Sequence, residues 1–312
     1  MPELPEVETT ARALRQKILG RKIKGAVATA HQLFEDKKLF RNMGRVLRGD
    51  KFSAIDRHGK YLLFRLSSGR TMIAHLKMTG HFLVIGRTAK HSPPPLQYSR
   101  VLKWRDVGEY VRFQIDFADG GALLFSDVRK FGRIWLLAPD KISEFFKDRK
   151  LAHDALSNEA SGAYLHTKLK RNRAVKSLLL DQTVIAGIGN IYADEMLWSA
   201  RLHPLRKGSE LTPSEVEKLH QAMRDILKRG IKTGGTSIRD YRHPDGSLGS
   251  FQKERAVYQR AGEPCLRCKM PIKRIVVTQR GTHYCPKCQN LSQNSKAKSQ
   301  KFKAKDKISK TF

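Results

Sequence analysis

The chain of 312 residues has few acidic residues, few cysteines and no long apolar run. Only 29 Asp and Glu oppose 61 Lys and Arg, which leaves a formal net charge of +32. Four cysteines are too few for a disulfide scaffold of this length, and no segment approaches the ~20 apolar residues that cross a bilayer. The first residues include acids where a secretory signal has a basic segment. We therefore expect a cytoplasmic protein with no membrane partner and with a polyanionic ligand.

The positive charge is spread along the chain. Residues 289–312 contain seven Lys and one Asp, which gives +6 and leaves +26 for the rest. A folded body with this charge repels itself unless an anion offsets it, and nucleic acid is the commonest such anion. The Lys-rich tail has few apolar anchors and is predicted to be disordered. It either adds sequence-independent affinity for nucleic acid or is simply a solvated charge run.

Apolar periodicity predicts a helix, then strands, then helices. Helical spacing predicts a first helix that ends near Gly20, with the apolar residues Val7, Ala11, Leu14 and Ile18. From Lys22 to Leu137, short apolar runs predict an antiparallel sandwich or barrel, with strands at 61–64, 71–74, 82–85, 111–117, 122–125 and 134–137. A loop is predicted at 91–96. Helices are predicted near 141–149, 157–168, 174–180, 191–200 and 213–233.

The cysteines form two pairs at metal-ligand spacing. Cys265-x-x-Cys268 is followed by sixteen residues and then Cys285-x-x-Cys288, which is typical of a four-thiolate zinc ribbon. The segments 275–278 and 282–284 between the pairs are predicted hairpin strands. Because all four positions would be filled by thiolates, the role of the metal is structural. Arg280 lies at the hairpin tip, where it either meets a phosphate or is an ordinary exposed arginine.

The amino terminus has an unusual composition, Met1-Pro-Glu-Leu-Pro-Glu-Val-Glu8. It is either a rigid start to the first helix or a reactive group. If Met1 is removed, Pro2 presents a secondary amine with an appreciable neutral fraction near pH 7. Attack of that amine on a sugar C1′ gives a cationic iminium, and the neighbouring Glu3 is placed to move protons.

Several short segments, in this order, resemble one family. They are Pro2–Glu8, Gly59–Leu62, His75–Gly80, Asp127–Gly132, Gly187–Glu195, Gly234–Thr236 and the four-cysteine finger with Arg280. Any one of them could arise by chance, but the ordered set is highly specific. From Met1 to Gln289 the chain resembles the bacterial formamidopyrimidine-DNA glycosylases, base-excision enzymes that remove oxidised purines.

The resemblance implies an α+β fold: an N-terminal helix-flanked antiparallel β-sandwich, then a helical helix-two-turns-helix domain with a C-terminal four-cysteine zinc finger. The expected boundaries are 1–138 for the catalytic sandwich, 139–250 for the DNA-binding domain, 251–289 for the zinc-finger hairpin and 290–312 for the tail. The implied partner is double-stranded DNA containing oxidised bases. We expect a monomer associated with the nucleoid, with one structural Zn²⁺ as its cofactor.

The resemblance also implies a role for each matched position. Pro2 is the expected nucleophile and Glu3 its acid/base partner, and three residues are expected to contact DNA phosphates, namely Lys60, Asn190 and Arg280. Three more are expected to fill the gap left by an extruded nucleotide, Met78, Arg129 and Phe131, with Arg129 facing the orphaned cytosine. Extrusion costs a few kcal/mol of stacking, which such wedges offset. Without the resemblance, Met78 and Phe131 would be assigned to the core, and Lys60 and Arg129 to the surface.

Departures from the family pattern bear on lesion preference. Lys77, Ser250 and Gln259 stand at positions where the family usually has glycine, and Lys130 stands where it frequently has arginine. The sequence also has an insertion around Pro93–Pro95 that extends to about Arg105. Two alternatives stay open. One is a pyrimidine-directed enzyme resembling endonuclease VIII, which Leu4 and the Asp-x-Arg-x-Phe segment disfavour. The other is a zinc-ribbon DNA-binding protein without enzymatic activity.

Overall fold

The computed structural model describes residues 1–86, 110–237 and 241–291. The loop predicted at 91–96, the insertion around Pro93–Pro95 and nearly all of the Lys-rich tail lie outside the described residues. The chain divides into two compact units. Unit 1 consists of Met1–Ala155 with Leu227–Glu254, and unit 2 of Leu156–Ile226 with the segment from Arg255 onward. Unit 1 therefore takes in a later segment, whereas the sequence-based boundaries are contiguous.

Unit 1 is an antiparallel sandwich. Its strands are β1 (Ile23–Ala28), β2 (Phe52–His58), β3 (Tyr61–Leu66), β4 (Thr71–His75), β5 (His81–Ile85), β6 (Val111–Phe117), β7 (Ala122–Ser126) and β8 (Arg133–Leu137). One sheet has the order β1-β6-β7-β5 and the other β2-β3-β4-β8. All the strands predicted from sequence are present, and the α+β prediction is confirmed.

The core of unit 1 lies between the two sheets. Phe52 and Phe64 of one sheet have ring centroids 5.6 Å apart, and Phe64 lies 5.3 Å from Phe82 of the other. Helix α1 (Leu4–Ile18) buries the apolar face predicted for it, with Leu4, Val7, Ala11, Leu14 and Ile18. Each of the larger side chains, Leu4, Val7, Leu14 and Ile18, contributes roughly 1.5–3 kcal/mol when it is removed from water.

Two helical predictions require correction. Helix α2 (Lys37–Leu47) lies in the region predicted to hold only strands; it starts at an Asp36 cap and buries only Met43 and Leu47. So few apolar residues leave little periodicity to detect. Helix α4 (Gly162–Leu169) begins five residues later than predicted, because the Ser161 hydroxyl accepts the Tyr164 N–H and caps it there. Helix α3 (Lys141–Asp148) is confirmed.

Unit 2 combines helices with a hairpin. It contains α4, α5 (Val175–Leu180), α6 (Asn190–Ser199) and the first part of α7 (Pro213–Lys232), followed by the hairpin β9 (Lys273–Val277) and β10 (Arg280–Tyr284). Helices α5, α6 and α7 and the hairpin match the predictions. None of the helices in the described residues combines the length and apolar character needed to span a membrane.

Candidate functional site

Pro2 and Glu3 form a buried segment at the start of α1. Glu3 is the N-cap residue, and a proline follows within the first turn, where its fixed φ suits the helix. Helix α1 packs on β2, and the Glu8 carboxylate on α1 accepts a hydrogen bond from Arg57 at 3.0 Å. Burial alone would raise the pKa of Glu8, but the hydrogen bond from Arg12 and the charge of Arg57 outweigh burial and lower it. The local sequence therefore fixes the amino terminus on the sandwich.

Glu6 joins this segment to the glycine-rich stretch that follows α7. One carboxylate oxygen accepts the Glu3 N–H at 2.8 Å, and the other accepts the Thr236 N–H at 2.6 Å. The Tyr241 hydroxyl donates to the Glu6 carbonyl at 3.0 Å. A Cβ at Gly235 would lie 2.9 Å from the Glu6 side chain, and its φ is +80°, so only glycine fits there. Sequence reasoning missed Glu6, although an acid three residues after the N-cap is a known capping signal.

Strand register brings Lys60, Met78 and Phe131 to one end of the sheet β2-β3-β4-β8. Tyr61 pairs with His75, and His75 pairs with Arg133. Lys60 immediately precedes Tyr61, the Met78 turn follows His75, and Phe131 lies just before Arg133. These predicted site residues therefore lie at the same end of this sheet.

Asp154 anchors the turn that carries Lys60. Its carboxylate accepts the Gly59 N–H at 2.7 Å and two hydrogen bonds from the Arg57 guanidinium, one of them at 3.1 Å. Burial by itself lowers the pKa of Arg57, but the Asp154 and Glu8 carboxylates raise it overall. Lys60 is itself buried, so the surface alternative for this residue is wrong.

Asp127 organises the two turns that carry Met78 and Phe131. Its fully buried carboxylate accepts a hydrogen bond from the Thr79 hydroxyl and one from the Gly132 N–H at 2.7 Å. It also accepts the Arg129 N–H at 3.2 Å. One side chain thus fixes both turns.

Met78, Phe131 and Arg129 are exposed on these turns. Met78 is 39% exposed and Phe131 45%, so the core alternative is wrong for both. The Arg129 guanidinium lies 4.5 Å from the Phe131 ring centroid, a cation–π contact. Lys77 and Lys130 have φ of +54° and +55°. The left-handed backbone explains why glycine is usual at position 77.

His75 belongs to the same cluster, and sequence reasoning missed it although it begins the His75–Gly80 segment. Its Nδ1 accepts the Lys77 N–H at 2.9 Å, and its ring is edge-on to Tyr61. Burial, together with the cations of Lys77 and Lys60, lowers the pKa of His75 to about 3. The ring is therefore neutral at physiological pH, beside two ammonium groups.

In unit 2, Asn190 is hydrogen-bonded to Gly281, the residue after Arg280. The Asn190 amide donates to the Gly281 carbonyl at 3.0 Å, while its Oδ1 is buried without a partner in the described part of the chain. Asn190 is the first residue of α6, where free backbone N–H groups favour an anion. Gln182 closes the preceding turn by accepting the Gly187 N–H at 2.9 Å and donating to the Ile188 carbonyl at 3.0 Å.

A buried ion pair holds the hairpin on α5 and α6. The Lys176 ammonium, with no exposed surface, donates to Asp194 at 2.5 Å, to the Thr282 hydroxyl at 2.7 Å and to the Gly281 carbonyl at 3.3 Å. The second Asp194 oxygen accepts the His283 N–H at 2.8 Å. All three ammonium protons are satisfied, which a buried lysine requires. This cluster fixes β10, and with it Arg280.

Arg280 is exposed and follows a strained two-residue turn. Val277 pairs with Arg280, and the intervening Thr278 and Gln279 have φ of +48° and +58°. Two-residue hairpin turns with positive φ at both residues favour Asn-Gly, because most other residues are strained in the left-handed region. The Thr278 hydroxyl is hydrogen-bonded to the Ser177 hydroxyl, which ties the tip to α5.

The four cysteines meet at one point. Their sulfurs all lie within 4.8 Å of one another, with 4.0 Å between Cys265 and Cys288 and 3.4 Å between Cys268 and Cys285. Tetrahedral zinc with Zn–S bonds of about 2.3 Å needs sulfurs about 3.8 Å apart. The Trp198 indole N–H donates to the Cys265 sulfur at 3.4 Å, which suits a thiolate. The residues therefore fit one structural Zn²⁺.

Comparison with known proteins agrees with this geometry. Three family models match: the formamidopyrimidine-DNA glycosylase N-terminal domain at residues 1–134, the H2TH domain of the same enzymes at 151–242, and the zinc finger found in FPG and IleRS at 262–291. A formamidopyrimidine-DNA glycosylase of Symbiobacterium thermophilum is 42% identical over 93% of this chain and 89% of its own length. One of Chloroflexus aggregans is 40% identical over 94% of this chain and 100% of its own.

Solved structures of Lactococcus lactis Fpg are also similar. A complex with DNA containing an abasic site has a TM-score of 0.80 and 35% identity, over 92% of this chain and 99% of that one. A complex with DNA containing Fapy-dG has a TM-score of 0.79 and 35% identity, over 92% of this chain and 100% of that one. Because sequence, fold and zinc finger agree over nearly the whole length, this chain belongs to the formamidopyrimidine-DNA glycosylase family of DNA-repair glycosylases.

Proposed function

We propose that this glycosylase removes oxidised purines from double-stranded DNA and then cleaves the strand as an AP lyase, with Pro2 as its nucleophile. The observation that carries the proposal is the pairing of Pro2 with Glu3 at a buried, capped helix start in unit 1, whose sandwich also carries Lys60 and two exposed apolar side chains at one end of a sheet. The 42% identical glycosylase relative supports the base-removal step.

The chemistry follows from a free secondary amine. After Met1 is removed, the Pro2 nitrogen bonds to C1′ as the bond from C1′ to the base breaks; the base leaves with the bonding electrons and takes up the proton that the Pro2 nitrogen gives up. Glu3 then supplies a proton to O4′ as the C1′–O4′ bond breaks and the sugar ring opens. The product is an iminium that draws electrons from C2′ when a C2′ proton is removed, so the C3′–O bond breaks and phosphate leaves. A second elimination breaks the C5′–O bond. No reductant or oxidant is consumed.

The other residues hold the DNA in the arrangement that this chemistry needs. Lys60, Asn190 and Arg280 are proposed to contact backbone phosphates, and the Met78, Arg129 and Phe131 side chains to fill the gap left by the extruded nucleotide. The exposure of Met78 and Phe131 supports this role, because large apolar side chains at a surface gain from stacking between bases. The fixed guanidinium of Arg129 suits the acceptors of an orphaned cytosine.

A cleavage panel tests the substrate class. Duplexes with 8-oxoguanine opposite cytosine, formamidopyrimidine or thymine glycol are compared at equal enzyme concentration. We expect faster incision of the two purine lesions. One similar Lactococcus lactis structure holds DNA with an oxidised pyrimidine, so faster incision at thymine glycol would overturn the purine assignment and favour an endonuclease VIII-like specificity.

A matched pair of tagged proteins tests the nucleophile. An amino-terminal extension keeps Pro2 but locks its nitrogen in a peptide bond, whereas the same extension at the carboxyl terminus leaves the amine free. We expect incision only from the second protein, once Met1 has been removed. Equal incision by both would exclude the Pro2 amine, and incision by neither would favour a non-enzymatic DNA-binding protein.

A further inference from the structure

The exposed side of α2 carries a row of cations. Lys38, Arg41 and Arg45 of α2 and Arg48, the residue that caps its C-terminus, are all exposed and follow one another at intervals of three, four and three residues. This spacing places them on one side of a helix, over a length of about 15 Å. We refer to these four residues as the α2 basic face.

The opposite side of α2 is fixed to the sandwich. Met43 and Leu47 are buried in the core. Gly44 lies so close to β1 that a Cβ there would be 2.5 Å from the Ala26 carbonyl oxygen. The helix is therefore held in one orientation, and the α2 basic face is a pre-arranged row of charges.

No carboxylate in the described part of the chain lies within ion-pair distance of the α2 basic face. Elsewhere in unit 1, arginines pair with acids, as in Arg21–Asp119, Arg65–Asp56 and Arg70–Asp50. Like charges three or four residues apart destabilise a helix. The row thus works against the stability of α2, and an external polyanion would relieve that repulsion.

The α2 basic face is separate from the side chains proposed to fill the gap left by the extruded nucleotide, Met78, Arg129 and Phe131. Helix α2 packs on β1, whereas the Met78 turn leads into β5. These two strands are opposite edges of the sheet β1-β6-β7-β5, about 14 Å apart across three strand spacings. Phosphates at the α2 basic face are therefore not the ones that flank an extruded nucleotide.

We propose that the α2 basic face binds the phosphate backbone of duplex DNA outside the lesion site. A row of Lys and Arg on a fixed helix, with no ion-pair partner among the described residues, is the electrostatic footprint of a backbone contact. Such a contact carries no sequence information and gains free energy by counterion release. It would hold the protein on undamaged DNA.

The test is the salt dependence of binding to undamaged duplex, so it does not depend on the proposed chemistry. One variant replaces the α2 basic face by glutamines: Lys38→Gln, Arg41→Gln, Arg45→Gln and Arg48→Gln. The matched control removes the same charge from ion-paired surface sites: Arg65→Gln, Lys141→Gln, Arg173→Gln and Arg229→Gln. We expect the plot of log affinity against log salt to become shallower by about 2–4 in the first variant and by less than about 1 in the control.

Three further outcomes decide the inference. Equal slopes in the two variants overturn it. A third variant, with lysine at Arg41, Arg45 and Arg48, keeps the charge, and we expect it to keep the slope; loss of the slope there would mean that the residues act only on the fold. Binding of each variant to polyglutamate, an acidic polypeptide, is measured as well. If the glutamine variant loses this binding while its salt slope with DNA is unchanged, the α2 basic face binds an acidic protein instead.

Discussion

Breaking the buried Lys176–Asp194 pair should release the hairpin that carries Arg280. Lys176→Met removes the ammonium and leaves the Asp194 carboxylate, which has no exposed side-chain surface; its remaining hydrogen bonds within the described part of the chain are those to His283. Removing one partner of a buried pair costs about 3–5 kcal/mol, because the other charge is left uncompensated. Thr282 and Gly281 also lose a donor. We expect a loss of this size in the free energy of unfolding of the zinc-loaded chain.

The assay is urea denaturation followed by circular dichroism, with zinc release followed in parallel by a chromogenic chelator. Lys218→Met is the control, since Lys218 is exposed on α7 and has no ion pair among the described residues; its effect should stay within about 0.5 kcal/mol. The double variant Lys176→Met/Asp194→Asn removes both charges. We expect it to recover at least about 2 kcal/mol relative to the sum of the two single variants.

Two results would refute this reasoning. A cost below about 1 kcal/mol for Lys176→Met would mean that the pair is not buried as described. Strict additivity of the single variants would mean that the two groups do not interact.

Three further changes have definite outcomes. Gln279→Gly should raise the thermal midpoint by relieving a left-handed residue that costs about 1–2 kcal/mol, and a lower midpoint would contradict the strain. Glu6→Gln turns one acceptor into a donor that faces a backbone N–H, so hydrogen exchange at Thr236 should accelerate, and unchanged protection would contradict the bridge. The folded-state pKa of His75, about 3, lies below its ordinary value of 6.5, so its contribution to stability is complete above pH 6.5 and is lost as the pH falls towards 3. His75→Gln should reduce the fall in the free energy of unfolding between pH 6.5 and pH 5 by about 1.6 kcal/mol, and an equally steep curve would contradict the assignment.

The local pattern of the sequence was sufficient for most elements of the fold. Helix α1 and the strands of the sandwich follow from periodicity because each buries one continuous apolar face. Helix α2 was missed because its surface side is basic and its buried side small. The start of α4 depends on a serine cap, which periodicity does not detect.

Local sequence patterns do not predict the residues that support the site. Asp154 accepts a hydrogen bond from Gly59, 95 residues away, and Lys176 donates to Thr282, 106 residues away. Nothing in the sequence around these residues indicates such partners. The predicted site residues were found through short motifs, which have fixed spacing, whereas the groups that position them are brought together only by folding.

The most direct test of the account is to trap the reaction with borohydride on a duplex with an abasic site and to locate the cross-link by mass spectrometry. If Pro2 is the nucleophile, hydride reduction of the iminium leaves deoxyribose attached to the nitrogen of the amino-terminal Pro2 peptide. A cross-link on a lysine such as Lys60, or none with correctly processed and zinc-loaded protein, would contradict the claim that Pro2 is the nucleophile.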